Sequence, residues 1–256
     1  MAYPPLMTSL FEASEVDLHE AVRRHLAAGQ DPNFTSTYKE TPLKQAFKRG
    51  RMDVFKLLLE QGADPSQMGW TPLHRAVALG TLAEVEALAT IAALSARDRF
   101  DLTPFLLACD VGDAAKAEVL LPLSDTAELY CRRHRDPAMM VAAEKARLEV
   151  LDWLLAQGFD VDEPNRYGKT ALIAAAEAGH SATVDLLLRS GADVNARYEL
   201  SAAVDDMDID PESRELLADA PASSESAATS TADAAVARLL LDAGVEAHAF
   251  DNEVLN

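Results

Sequence analysis

The chain has 256 residues, a formal net charge of −19 and a sequence pI of about 4.6, with two cysteines and few aromatics. That acidity excludes a protein-wide nucleic-acid footprint, which needs a basic surface. Two cysteines exclude a disulfide framework, and no apolar run reaches the eighteen residues that a membrane helix needs.

In chain order, residues 1–14 (MAYPPLMTSLFEAS) have no basic n-region and no long apolar stretch. A secretory leader is therefore not expected, and the expected location is the cytoplasm. The next segment, SLFEASEVDLHEAVRRHLAAGQDPN, ends in a Gly-acid phrase that then recurs: GADPS from Gly62, GFDVD from Gly158, GADVN from Gly191 and GVEAH from Gly244. Gly29 to Gly62 and Gly158 to Gly191 are both 33 residues. A second phrase keeps register with the first: TPLKQAFKRG from Thr41, TPLHRAVALG from Thr71, TPFLLACDVG from Thr103 and TALIAAAEAG from Thr170, with a degraded copy, PAMMVAAEKA, from Pro137.

Each phrase has a mechanical meaning. A Thr hydroxyl caps the free N–H groups of a helix start, and Pro fits the first turn because its missing N–H is not needed there. Gly50, Gly80, Gly112 and Gly179 are expected to end this first helix in a left-handed conformation. A second helix follows with a leucine stripe (VFKLLLEQG, VDLLLRSG, VARLLLDAG), closed by Gly62, Gly158, Gly191 or Gly244. One such unit cannot bury its apolar faces alone, so units must stack. The Ala- and Leu-rich composition also favours helices over sheets.

Residues 165–197, NRYGKTALIAAAEAGHSATVDLLLRSGADVNAR, resemble an almost complete ankyrin repeat. The resemblance covers residues 10–203 and 233–250. It implies an all-α ankyrin-repeat solenoid of about seven helix-turn-helix units with hairpin loops, as one domain over 1–256. Within it, 1–34 is expected to be an N-terminal capping repeat, 35–203 the central repeats and 233–256 a C-terminal half repeat. Gly191 to Gly244 spans 53 residues, so about twenty extra residues lie inside the last unit. Residues 204–232 are read as that inserted acidic loop. From Glu199 onward the chain holds fourteen acids and two bases.

Sites for chemistry are sparse. His134–Asp136 spell HRD without the other parts of a kinase. Counting a calcium loop from Asp206 puts Pro211 and Leu217 where Gly and Glu are required. Cys131 and His134 have a C-x-x-H spacing with no second pair for zinc, and Cys109 is expected to be buried. The resemblance gives His74 a structural hydrogen-bonding role, and Trp153 occupies a second-helix packing slot. No catalytic residue, metal or cofactor is expected, and the chain reads as a non-enzyme.

In ankyrin-like folds the hairpin tips and the exposed part of the first helix line a concave binding face. Relative to each helix start, three positions back lie Tyr38, Met68, Phe100, His134 and Tyr167. Four back, in the later units, lie Arg99, Arg133 and Arg166; one back lie Trp70 and Lys169. The ends of first helices add Lys48, Arg49, Leu79 and Glu177. These residues are expected to bind a partner protein, because Tyr, Trp and Arg at exposed tips are the usual anchors of interfaces. The sequence points to no small-molecule substrate, nucleic acid or membrane, and leaves the oligomeric state open. An alternative function is an immunity protein or antitoxin-type inhibitor that neutralises a toxic enzyme, a nuclease among the possibilities, in a bacterial cytoplasm.

Overall fold

The computed structural model describes residues 19–36, 40–199, 224–226 and 233–244. Residues 1–18 of the expected capping repeat, most of the inserted acidic loop and the last twelve residues lie outside the described residues. Thirteen α-helices are described. They are α1 (His19–Ala27), α2 (Pro42–Lys48), α3 (Met52–Glu60), α4 (Pro72–Leu79), α5 (Leu82–Leu88), α6 (Ile91–Leu94) and α7 (Pro104–Val111). The rest are α8 (Ala114–Leu120), α9 (Ala138–Glu144), α10 (Leu148–Ala156), α11 (Ala171–Glu177), α12 (Ser181–Arg189) and α13 (Ala234–Asp242). Two three-residue strands, β1 (Arg197–Glu199) and β2 (Ser224–Ser226), pair antiparallel with Tyr198 opposite Glu225.

The helix starts follow the Thr-Pro chemistry. Thr41, Thr71 and Thr103 each accept a backbone N–H from Lys44, His74 and Leu106, and Pro occupies the first helical turn behind each. The degraded copy at Pro137 and the Pro-less copy at Thr170 have no side-chain cap. Helix ends use the left-handed glycines at Gly50, Gly112 and Gly179, with φ of 67°, 90° and 71°. Gly80 departs from the expectation, with φ −90° and ψ −171°. A Cβ there would meet the Glu84 carboxylate at 2.6 Å and the Ala76 backbone at 3.0 Å, so close approach is what requires glycine.

Helices α4, α7, α9 and α11 pack in sequence as an inner row, and α5, α8, α10, α12 and α13 pack behind them as an outer row. The core lies between the rows. It includes Leu73, Val77, Phe105, Leu106, Val150, Leu151, Leu172, Ile173, Val184 and Leu187, all almost wholly buried. Small residues such as Ala142, Ala175 and Ala176 let the inner helices approach closely. The Gly-acid phrase links neighbours. Asn33 donates to the Gly62 carbonyl at 3.0 Å and accepts the Asp64 N–H at 2.7 Å, and Asp162 accepts the Asp193 N–H at 2.9 Å.

Helices α2 and α3 join this array mainly through rings. Phe47 lies 5.8 Å from Trp70 and 5.0 Å from Phe100, and Phe55 lies 5.3 Å from Trp70. They also reach a unit 97 residues further on. Lys145 Nζ donates to the Lys48 carbonyl at 2.5 Å, and Arg147 Nη2 donates to the Gly50 carbonyl at 3.2 Å. The second unit is therefore not tied to its chain neighbours alone.

Candidate functional site

The hairpin tips ahead of α7, α9 and α11 share one backbone plan. Asp98, Cys131 and Asn165 donate their N–H to the carbonyls of Leu102, Asp136 and Lys169 at 2.9–3.1 Å. Asp98 Oδ1 accepts the N–H groups of Phe100 and Leu102, and Asn165 Oδ1 accepts those of Tyr167 and Lys169. The plan needs a left-handed residue at the tip. Gly69 and Gly168 supply it in two units, but Asp101 (φ 64°) and Arg135 (φ 58°) stand there in the other two.

Neighbouring hairpins are joined through these tips. Arg99 N–H donates to the Met68 carbonyl at 3.1 Å, and Arg166 N–H to the His134 carbonyl at 3.0 Å. Between the hairpins of α7 and α9 a side chain takes over. Asp101 Oδ2 accepts the N–H of Arg133 at 3.0 Å and that of Arg132 at a shorter distance. Aspartate tolerates the left-handed region better than most residues, and here its carboxylate fills the acceptor role of a neighbouring carbonyl.

Of the residues expected to bind a partner, Tyr38 lies outside the described residues. The column three back is not an exposed ridge. Met68 is fully buried, Phe100 is half-buried against Phe47, and His134 and Tyr167 are half-buried facing each other with ring centres 5.6 Å apart. Trp70 is half-buried between Phe47 and Phe55, and its Nε1–H donates to Asp98 Oδ2 at 3.1 Å. A tip side chain has the next hairpin and α2 to pack against, so large apolar groups there are covered. Burial raises the Asp98 carboxyl to about 6, against the lowering effect of its Leu102, Phe100 and Trp70 hydrogen bonds. The column four back behaves differently: Arg99, Arg133 and Arg166 are all exposed.

Three of the helix-end residues come together. Lys48, Arg49 and Glu177 line one cleft of about 480 Å³ with Arg51, Glu144, Lys145 and His180. The C-terminal ends of α2, α9 and α11 line this cleft, and helix C-termini carry partial negative charge that favours cations. Arg147 Nε donates to the Asp110 carbonyl at 2.7 Å while its Nη2 takes the Gly50 carbonyl. His180 Nε2 sits 3.1 Å from the Glu144 carbonyl, which makes it the protonated nitrogen. Two ion pairs bracket the cleft with opposite polarity: Glu40 with Lys48 at 2.7 Å, and Lys169 with Glu177 at 2.5 Å. In each, the residue before the helix start meets one at the helix end. Leu79 stands apart, half-buried in a second cleft with Met52, Lys56 and Val111.

The remaining sequence candidates are structural. His74 Nδ1 meets the Thr71 hydroxyl at 2.7 Å, and its Nε2–H donates to the Leu102 carbonyl of the next hairpin at 3.0 Å. Burial lowers its pKa, against the raising effect of the Leu102 hydrogen bond. Burial raises the thiol of Cys109 beyond the ordinary range and that of Cys131 to about 12. Trp153 is half-buried with its ring 6.5 Å from Phe105. Among the described residues no three His, Cys, Asp or Glu side chains are grouped to hold a metal, and no helix is long and apolar enough to cross a membrane.

Sequence reasoning missed the Arg147 bridge, the role of Asp101 and the exposure of Arg132 and Arg135. The density of arginine in CRRHRD was the visible signal for the last two.

Residues 10–98 and 105–198 match the family model described as ankyrin repeats (3 copies). The chain is similar to the ankyrin repeat domain-containing protein SAT10 of Stachybotrys chartarum, at 27% identity over 176 residues, covering 65% of this chain and 9% of that protein. It is similar to the ankyrin repeat protein nuc-2 of Neurospora crassa, at 32% identity over 164 residues, covering 58% and 14%. The chain thus spans only 9% and 14% of the length of these curated relatives. Among solved structures it is similar to the human ASB11 ankyrin repeat domain, with 20% identity, a TM-score of 0.43, and coverage of 93% of this chain and 85% of that one.

Proposed function

We propose that this chain, which belongs to the ankyrin-repeat family, is a non-catalytic module that binds a partner protein through its hairpin tips and first-helix ends. Ankyrin repeats mediate protein–protein interaction, and the repeat matches cover most of this chain. The observation that carries the reading is the convergence of Lys48, Arg49 and Glu177, far apart in sequence, on one charged cleft. Charged groups gathered in a concave feature steer and orient a partner. The exposed column Arg99, Arg133 and Arg166 extends the same reading to the hairpins.

The structure also selects the variants. Phe100 packs on Phe47, so truncating it perturbs the fold as well as the surface. A Lys48→Ala, Arg49→Ala, Arg133→Ala variant removes exposed side chains and, with Lys48, its ion pair to Glu40. Affinity capture by the wild-type chain, with mass spectrometry, is expected to yield a partner that this variant loses. A partner held equally by both would move the site to the outer helices and refute the assignment.

A further inference from the structure

The hairpin tips ahead of α7, α9 and α11 carry five exposed arginines: Arg99, Arg132, Arg133, Arg135 and Arg166. Two are held over aromatic faces, Arg135 at 4.9 Å from the Tyr130 ring centre and Arg166 at 5.6 Å from that of Tyr167. Among the described residues, the guanidinium groups of Arg99, Arg132 and Arg133 make no hydrogen bond or ion pair.

The nearby acids are committed elsewhere. Asp98 serves its own hairpin and Trp70. Asp101 holds the backbone of Arg132 and Arg133 and sits 3.5 Å from Arg97. Asp136 accepts from Asn165 at 2.8 Å and faces His134 at 3.7 Å, and Glu163 takes the Tyr130 hydroxyl at 2.5 Å. A chain with a net charge of −19 thus leaves three unneutralised guanidinium forks at the tips of two successive hairpins, Arg99 ahead of α7 and Arg132 and Arg133 ahead of α9, the latter two on backbone held by the Asp101 carboxylate. On the third hairpin Arg166 Nη1 donates to the Arg133 carbonyl at 2.6 Å.

We infer that the two tips ahead of α7 and α9 dock an extended acidic segment of a partner protein, whose carboxylates are taken by the forks of Arg99, Arg132 and Arg133. The inference rests on the protein-binding reading above and adds the chemistry of the partner. Guanidinium forks match carboxylates bidentately, and a rigid backbone reduces the entropy lost on binding. The acidic remainder of the chain repels a long polyanion such as nucleic acid at distances inside the Debye length. Packed helices lie about 8–10 Å apart, and an extended peptide advances about 3.3 Å per residue. Acids at every third residue of the partner therefore meet successive tips.

The test uses the full chain and a fluorescein-labelled peptide of four Glu-Ser-Ser repeats, followed by anisotropy at low salt. The same peptide with Gln for Glu and a single-stranded oligonucleotide of twelve bases are the comparisons. An R99E/R132E/R133E variant is expected to bind the Glu peptide at least tenfold more weakly than wild type. An R23E/K56E/R238E variant, with the same charge change on exposed residues of α1, α3 and α13, is expected to stay within about twofold. All substituted sites are exposed, and an unchanged thermal midpoint confirms folding. Equal loss in both variants, no preference for Glu over Gln, or tighter binding of the oligonucleotide would overturn the inference. Partner capture separates its failure from that of the wider reading. If the tip variant keeps a partner that the Lys48→Ala, Arg49→Ala, Arg133→Ala variant loses, protein binding stands and the carboxylate chemistry falls.

Discussion

Removing the Arg147 side chain tests whether the second unit is held by the fifth. Its guanidinium donates to the Asp110 carbonyl at 2.7 Å and the Gly50 carbonyl at 3.2 Å, and its positive charge lies near the buried Asp110 carboxylate. Hydrogen bonds from charged donors contribute about 1.5–3 kcal/mol each. The longer bond and the partial exposure of Arg147 reduce the sum, so Arg147→Ala is expected to cost about 3 kcal/mol. With a urea dependence of about 3 kcal/mol per molar, the midpoint falls by about 1 M. The chain has two tryptophans, and they report on different parts of the array. Trp70 contacts Phe47 and Phe55 of the second unit, while Trp153 lies on α10 beside Phe105. Read in Trp153→Phe and Trp70→Phe backgrounds, both fluorescence transitions should move down together. If Trp153 shifts and Trp70 does not, the bridge to Gly50 contributes nothing, and the array follows nearest-neighbour stacking alone.

Other expectations follow from individual groups. Burial raises the Asp110 carboxyl to about 6 despite the nearby Lys145 and Arg147 charges, and its Oδ2 has no hydrogen-bond partner. A raised carboxyl favours folding when protonated, so its contribution is present below about pH 4 and lost as pH rises through about 6. Asp110→Asn should therefore raise stability at pH 7, by at most about 3 kcal/mol, and flatten the urea midpoint between pH 4 and 7; an unchanged pH profile would refute this. Gly80→Ala must displace Glu84 and the Ala76 backbone and should lower stability by about 1–3 kcal/mol. Gly158→Ala has open space but a φ of 83°, and should cost about 1–2 kcal/mol from backbone strain alone. In chemical denaturation a double-mutant cycle with Glu84→Ala should show coupling to Gly80→Ala and none to Gly158→Ala, separating contact from strain. Cys109 and Cys131 are buried thiols with raised pKa values. A thiol reagent at pH 8 should modify neither in the folded chain and both in urea; rapid modification of the native chain would contradict their burial.

The periodic phrases made most of the helix array legible. Thr-Pro starts, leucine stripes and terminal glycines act through local backbone geometry and capping, so they can be read without knowing the neighbours. That is why the helices beginning at Pro42, Pro72, Pro104 and Ala171 follow the phrases, and why the left-handed glycines were expected at Gly50, Gly112 and Gly179. Gly80 was the exception because its requirement comes from Glu84 and Ala76 packing onto it, not from its own φ.

The candidate site was legible only in part. Counting back from the helix starts found the exposed arginines Arg99, Arg133 and Arg166, since register alone sets which residues occupy a tip. It could not tell that Trp70 and Phe100 at the same tips are covered, because their burial depends on Phe47 and Phe55 arriving from the second unit. Nor could it bring Lys48 beside Lys145. A local pattern specifies where helices begin and end and which face is apolar. Which unit lies against which was decided by long-range packing of aromatic rings, and by cations seeking the carbonyl ends of helices that the chain separates by 97 residues.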